Sequence, residues 1–343
     1  MVRLSRESLR AEVMIQYGSR IPSYGESMQR LQFLIVLVVL LGLCSCETPV
    51  TQQAPGRFEV LVLGIAQDGG LPHVGCSKPC CKAARSSGRR LYPASIAIHD
   101  AQTGRLCLVE ATPRIEPQLG MLHEMTGQNG RNRQPVDAVM ITHAHIGHYL
   151  GLAQFGFEVA STKDLPVFVT RRFSDYLRRH GPWRQLVEMR QIALRPTSPG
   201  VDFSPIPGIT VTPIKVPHRD EFSDTMAFRI RGPNKTVLFV PDIDSWRDDP
   251  GLLDRLVEGV DVAYLDATFY DGRELPGRDL SKVRHPFMTD TMQRLESQAK
   301  ERPGRFRFIH LNHTNPALHD PELRRSITAR GFGIAVQGER FGI

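Results

Sequence analysis

One apolar run, Val139-Met-Ile-Thr, delivers three histidines within six residues: His143, His145 and, after Gly147, His148. Alternate residues leaving a strand point to the same side, so His143 and His145 can converge on one point. His148 can turn back toward a neighbouring position from the start of a following helix. Neutral imidazole is a good ligand for zinc, iron or manganese. The chain has 12 histidines in all, so three in one short stretch are hard to assign to packing. The motif asks for a strand that ends at the mouth of the fold, where its polar tip can meet others.

Three further strand-like runs end the same way. The run 209–216 leads into Pro217-His218, the run 237–241 into Asp242-Ile-Asp244, and the run 306–310 ends on His310 with His313 three residues on. Other apolar, β-branched stretches lie at 58–64, 95–99, 106–110, 138–142, 167–170, 225–231 and 262–266. Helical patterns fall between them at 115–125, 149–159, 172–179, 250–258, 289–300 and 321–330. This order predicts an α/β protein with two sheets covered by helices on their outer faces. A hydrophobic content of 41% and a charged content of 23% suit one domain with a real core, expected over 57–343.

The N-terminal part reads differently. Arg30 precedes an apolar core from Phe33 to Leu43, too short to span a bilayer comfortably, which is secretory-signal anatomy. Residues 1–46 are thus expected to be an N-terminal extension and lipoprotein-type signal peptide, with 47–56 a linker. Leu43-Cys44-Ser45-Cys46 is similar to a bacterial lipoprotein box, which implies a lipid anchor at Cys46. Residues 1–27 precede the signal awkwardly, and Met28 is an alternative start. The expectation is an exported protein, periplasmic or at the outer membrane, attached to the membrane through Cys46. Five Arg and three Glu in that segment supply part of the net charge of +7, and the rest is spread without a Lys/Arg block. That distribution gives no nucleic-acid footprint.

Together, the four strand-end motifs resemble the metallo-β-lactamase superfamily of hydrolases over about 57–343, and imply its four-layer αββα sandwich. Carried over position by position, the resemblance implies that His143, His145 and His218 hold one metal. His148 and His310 would hold a second, and Asp242 would bridge the two. The implied chemistry is hydrolysis by a metal-bound hydroxide with one or two divalent ions, zinc first and iron or manganese as alternatives. Gly147 stands where the superfamily motif His-x-His-x-Asp-His has its aspartate, which weakens the second site or demands a substitute such as Asp244 or His313. His285, in Arg284-His285-Pro-Phe, matches the place of a histidine that assists the leaving group in related phosphodiesterases; a helix-start histidine at the surface is the alternative. Asp266 resembles an acid that orients a ligand histidine in the same superfamily.

Within the superfamily the likeness extends to the pyrroloquinoline-quinone biosynthesis protein B family, through 63–72, Ala94-Ser95-Ile-Ala and 308–316. In that likeness the glycine-rich stretch 64–70 is a turn lining the metal cleft. That family and the phosphonate-pathway cyclic phosphodiesterases carry a cysteine cluster, here Cys76, Cys80 and Cys81 with the middle cysteine displaced from the place of Lys78. A structural zinc with His73 as fourth ligand competes with a disulfide formed after export. Trp183 and Phe222 are candidates for a substrate wall.

Three functions follow. The leading one is a metal-dependent hydrolase of an ester, phosphodiester or similar small substrate, with His285, Asp242 and His313 as catalytic candidates. The second is a quinone-biosynthesis factor with iron-dependent oxidative chemistry, from which this chain departs in its His-x-His pair and its export signal. The third is a lipoprotein that uses the metal site to bind rather than to turn over.

Overall fold

The computed structural model describes residues 56–128 and 133–343. The predicted signal segment and the anchor at Cys46 lie outside these residues.

Two sheets form the centre. The first runs β13-β1-β2-β3-β4-β5-β6, built from β1 (Phe58–Gly64), β2 (Ser95–Asp100), β3 (Arg105–Val109), β4 (Ala138–Met140), β5 (Leu165–Thr170), β6 (Ile192–Thr197) and β13 (Arg340–Gly342). The second runs β12-β11-β10-β9-β8-β7, from β7 (Thr210–Lys215), β8 (Met226–Arg231), β9 (Thr236–Val240), β10 (Val262–Asp266), β11 (Phe306–Ile309) and β12 (Gly333–Ile334).

Alternation along β1 shows how the layers stack. Val60 and Val62 face the core shared with the second sheet, while Leu61 and Leu63 face a separate apolar cluster. That second cluster is closed by the helices α2 (Ile115–Thr126), α4 (Arg171–Arg179) and α5 (Trp183–Glu188). On the far side, α6 (Leu252–Val257), α7 (Met288–Glu301) and α8 (Pro321–Ala329) cover the second sheet through Leu253, Leu256, Met292, Leu295 and Ile327. The arrangement is helix, sheet, sheet, helix, the predicted four-layer sandwich. Because β1 is buried on both faces, its sequence is apolar apart from Glu59, whose carboxylate accepts from Arg340 at 2.6 Å. Full burial of one such Val or Leu is worth ~1.5–3 kcal/mol.

Strand direction positions the functional residues. Antiparallel β1–β2–β3 followed by parallel β3–β4 makes β1, β3 and β4 point the same way. Antiparallel β7–β8–β9 followed by parallel β9–β10–β11 does the same for β7, β9, β10 and β11. All seven strands therefore release their carboxyl ends along one edge of their sheet, where open α/β folds place ligands. Two links draw the edges together. Gln67 N donates to Leu311 O (2.9 Å) and Leu311 N to Ile65 O (2.8 Å), while Met226 N donates to Thr142 O (3.1 Å).

Several expectations change. The helix expected over 149–159 is a short α3 (Ile146–Tyr149) followed by a 3-10 turn, Leu150–Phe155. Within it Gly151 N donates to Ala111 O at 2.8 Å, and a Cβ at Gly151 would collide with the Thr112 carbonyl. The strands β6, β12 and β13 and the helix α5 were not expected. Nor was α1 (Pro79–Ser87), which starts with Pro79 at its first position and ends at a left-handed Gly88.

Candidate metal centre

Four side chains from three separate segments meet first. His143 and His145 leave β4, His218 follows β7 and Asp242 follows β9, and one donor atom from each lies within 4.8 Å of the rest. His143 Nε2 is 2.9 Å from His145 Nδ1, and His145 Nδ1 is 3.1 Å from His218 Nε2. Asp242 Oδ2 lies 3.5 Å from His143 Nε2 and 3.2 Å from His218 Nε2. His143, His218 and Asp242 are buried.

Each imidazole is held from behind. His218 Nδ1 donates to Asp244 Oδ1 at 2.8 Å, and Arg284 donates to Asp244 Oδ2 at 2.9 Å. His145 Nε2 lies 2.9 Å from Glu221 Oε2, and His143 Nδ1 lies 2.9 Å from Thr142 Oγ1. Such partners fix ring orientation and raise ligand basicity. Burial opposes a charge on His218, yet Asp242 and Asp244 push it up to about 9. Burial instead holds His143 and His145 below their ordinary range, which favours the neutral imidazole that ligates a metal.

A second group adjoins the first. His148 Nε2 is 3.7 Å from Asp242 Oδ2 and 3.4 Å from Asp68 Oδ1, and His310 Nε2 is 3.5 Å from that same Asp68 oxygen. The His148 and His310 rings stack at 5.3 Å. His310 Nδ1 is satisfied by Thr268 Oγ1 at 3.0 Å, whose own proton goes to Asp266 Oδ1 at 2.8 Å. Asp266 thus steadies His310 through Thr268. His148 Nδ1 faces Glu110 Oε2 at 3.5 Å, and Glu110 Oε1 accepts from Thr142 N at 3.1 Å. Glu110 and His310 both adopt left-handed backbone, φ 75° and 63°. Non-glycine residues there cost of order 1–3 kcal/mol.

His285 is half-buried beside these groups. Its Nδ1 lies 2.9 Å from Asp266 Oδ2 and 3.3 Å from Asp242 Oδ1. Burial opposes its charge, but Asp266 and Asp242 raise it above its ordinary value.

The buried donors fit a cation. Asp68 Oδ1, Glu110 Oε2, both nitrogens of His148, Asp242 Oδ1 and His310 Nε2 are buried with no hydrogen-bond partner. Each buried group without a hydrogen bond costs about 1–3 kcal/mol, and Asp68 Oδ1, His148 Nε2 and His310 Nε2, which face one another, are the set a cation would satisfy. Imidazole with carboxylate suits zinc, iron or manganese.

Two expected substitutes lie elsewhere. Asp244 is engaged by His218 and Arg284, as above. His313 belongs to the cysteine cluster: its Nε2 is 3.5 Å from Cys76 Sγ, and Cys76, Cys81 and His313 form a group of their own. His313 is therefore no part of the catalytic cleft. The cluster itself also differs from expectation. Adjacent helical residues are about 100° apart, so in α1 Cys81 is buried while Cys80 is not in the group. His73 is absent from it too; its ring packs on that of His313, centroids 4.6 Å apart. The four described cysteines are free in this structure.

Asp68 and Glu110 were not singled out from sequence. Glu110 carried the same sign as the others, a polar residue just past an apolar strand. Asp68 follows β1 by four residues in what had been read as a lining turn.

Above these groups opens a cleft of about 1020 Å³, with Asp68, His145 and Gly147 on its surface. Tyr92, Tyr149, Trp183 and Phe222 line it, with Arg90, Arg114 and Arg219. Trp183 is buried against Tyr149, ring centroids 4.7 Å apart, and Phe222 is exposed. Arg219 pairs with Glu221 at 3.6 Å, whereas Arg90 and Arg114 have no carboxylate partner among the described residues.

Comparison with known proteins gives consistent results. A family model described as a beta-lactamase superfamily domain matches residues 106–311. Coenzyme PQQ synthesis protein B of Methylobacterium sp. (strain 4-46) is 27% identical over 304 residues, covering 82% of this chain and 98% of its own length. The crystal structure of Zn(2+)-bound PqqB from Methylobacterium extorquens superposes with a TM-score of 0.69 at 22% identity, covering 83% of this chain and all of that one. A diphosphatase from the PhnP family superposes at 0.60 and 20% identity, covering 84% of this chain and 98% of its own. At these identities the superpositions establish the fold.

Proposed function

The chain belongs to the beta-lactamase superfamily, and from that premise we propose that it is a metal-dependent hydrolase of a small anionic ester or phosphodiester. The observation that carries the reading is the convergence of His143, His145, His218 and Asp242 beneath a cleft with unpaired guanidinium groups. A divalent ion bound to these four groups supplies Lewis-acid polarisation and lowers the pKa of a water toward neutrality. Asp244 and Glu221 hold the imidazole rings in place. Arg90 and Arg114 attract the negative group of the substrate, and Tyr92, Tyr149 and Trp183 pack against its apolar part. His285, its Nδ1 2.9 Å from Asp266 Oδ2 and its hold on a proton raised by Asp266 and Asp242, is the candidate general acid for the leaving group.

The test is turnover of chromogenic esters and phosphodiesters by the zinc-loaded protein. His145→Ala is expected to abolish turnover and to lower bound metal; full activity in that variant refutes the reading.

A second reading is favoured by one observation, the near-complete coverage of PQQ synthesis protein B at 27% identity. It assigns the same site an iron ion and oxidative chemistry in quinone-cofactor biosynthesis. Iron in protein from its native host, with oxygen consumption and no hydrolysis, would support it over the first. We further read the protein as exported and tethered through Cys46, which rests on the Leu43-Cys44-Ser45-Cys46 sequence alone. Fatty-acid labelling that persists in Cys46→Ser would overturn that part.

A further inference from the structure

We propose that Asp68 is the missing carboxylate of the second metal position, supplied from the loop after β1 rather than from the residue at 147. Gly147 and Asp68 occupy one place in space. A Cβ added at Gly147 would fall on the Asp68 carboxylate and 2.7 Å from its Cβ, closer than side-chain carbons approach. The glycine is what lets Asp68 reach in, and the aspartate fills the room where a side chain at 147 would begin. A carboxylate has been moved in the sequence and kept in the fold.

The spacing is wider than hydrogen bonds and matches ligands gathered around one ion. Asp68 Oδ1 lies 3.4 Å from His148 Nε2 and 3.5 Å from His310 Nε2. Hydrogen bonds between such groups run to about 2.7–3.2 Å. Two ligands each about 2.0–2.1 Å from a tetrahedral zinc stand about 3.3–3.4 Å apart. None of the three atoms makes a hydrogen bond, and both histidines are 1% exposed. The Asp68 side chain is 47% exposed as a whole, but this oxygen is buried and turned toward the histidines. Asp242 Oδ2 lies 3.7 Å from His148 Nε2, outside the group that Asp68, His148 and His310 form among themselves.

The backbone holds Asp68 there. Gln67 N donates to Leu311 O at 2.9 Å and Gly70 N to Gln67 O at 2.7 Å, so the loop is tied both to itself and to the residue after His310. Ala111 N donates to His148 O at 2.8 Å, fixing the start of α3 from the other side. An ion at this position would clamp the β1 loop, α3 and the β11 loop together. Gly147 therefore does not imply a single-metal protein.

This inference rests on the metal reading of the first position, and the two fail separately. The experiment uses the full chain, metal-stripped and titrated with zinc alone, with the zinc retained measured by elemental analysis and each binding step by calorimetry. The cysteine cluster is read out in the same titration, so the comparison is between variants. Wild-type protein is expected to hold one equivalent more than Asp68→Ala, or to bind its weaker cleft ion more than about 100-fold tighter. Removing a group that only supports a ligand already costs about 10–100-fold. The double variant Asp68→Gly/Gly147→Asp is expected to recover that ion, which separates loss of a ligand from a folding defect. Unchanged stoichiometry and affinity in Asp68→Ala overturns the proposal, as does a folded double variant that recovers nothing. Loss of zinc from the cleft in the wild type as well overturns the metal reading itself, while zinc binding without hydrolysis overturns only the proposed activity.

Discussion

Asp244→Asn separates a residue that positions a ligand from one that is a ligand. In the native arrangement Asp244 accepts from His218 Nδ1 at 2.8 Å through one oxygen and from Arg284 at 2.9 Å through the other. Asparagine keeps the size but has one acceptor, so it can satisfy His218 or Arg284 and not both. One charge-assisted hydrogen bond at a nearly buried position is lost, worth about 1.5–3 kcal/mol. If that energy is expressed in how firmly His218 is held, zinc affinity falls about 10–100-fold, the range found when such supporting groups are removed. Competition with a chromophoric chelator measures the affinity, and elemental analysis measures the number of ions. The expected result is weaker binding with the number of ions unchanged. Affinity within threefold of wild type would refute the reasoning, and loss of a whole equivalent would make Asp244 a ligand after all.

Other outcomes follow from the same geometry. Arg114→Ala is expected to raise KM about tenfold for anionic substrates and to leave neutral esters unaffected, because its guanidinium has no internal carboxylate to release; equal effects on both would remove the anion-binding role. His285→Asn should lower kcat about 10²–10⁴-fold with zinc content unchanged, measured by steady-state kinetics beside elemental analysis. His313→Ala should lose one zinc equivalent and lower Tm by several degrees while the two cleft ions stay, since Cys76, Cys81 and His313 form a separate group. Burial raises the Glu274 carboxyl to about 7, so its contribution to stability is fully present below about 4.5 and is lost as pH rises to about 7. Glu274→Gln is therefore expected to be more stable than wild type at pH 8 by about 1–2 kcal/mol, after discounting for the exposed part of the side chain. At pH 4 the two should match in urea unfolding.

Long buried elements were legible because their pattern is local. The run 58–64 is apolar except for Glu59 since both its faces are covered, and 289–300 shows a helical period because only one side of α7 meets the core. The strand-end histidines were legible for the same reason: a polar residue just past an apolar run is visible without coordinates. What escaped depends on distant partners. β6 carries Pro196 and exposed positions, and it is a strand because β5 pairs with it. β12 and β13 are two and three residues long, below any periodic window. Asp68 gains its meaning only from the empty space at Gly147, 79 positions away in a different sheet edge loop. His313 sits close to His310 in sequence, yet its partner is Cys76, 237 positions away, a contact no local pattern displays.

Crystals of the zinc-soaked protein, measured above and below the zinc absorption edge, test the central claim most directly. The account predicts an anomalous peak among His143 Nε2, His145 Nδ1, His218 Nε2 and Asp242 Oδ2, with a neighbouring one among Asp68, His148 and His310. Fully ordered side chains at saturating zinc with no peak among the first four atoms would contradict it.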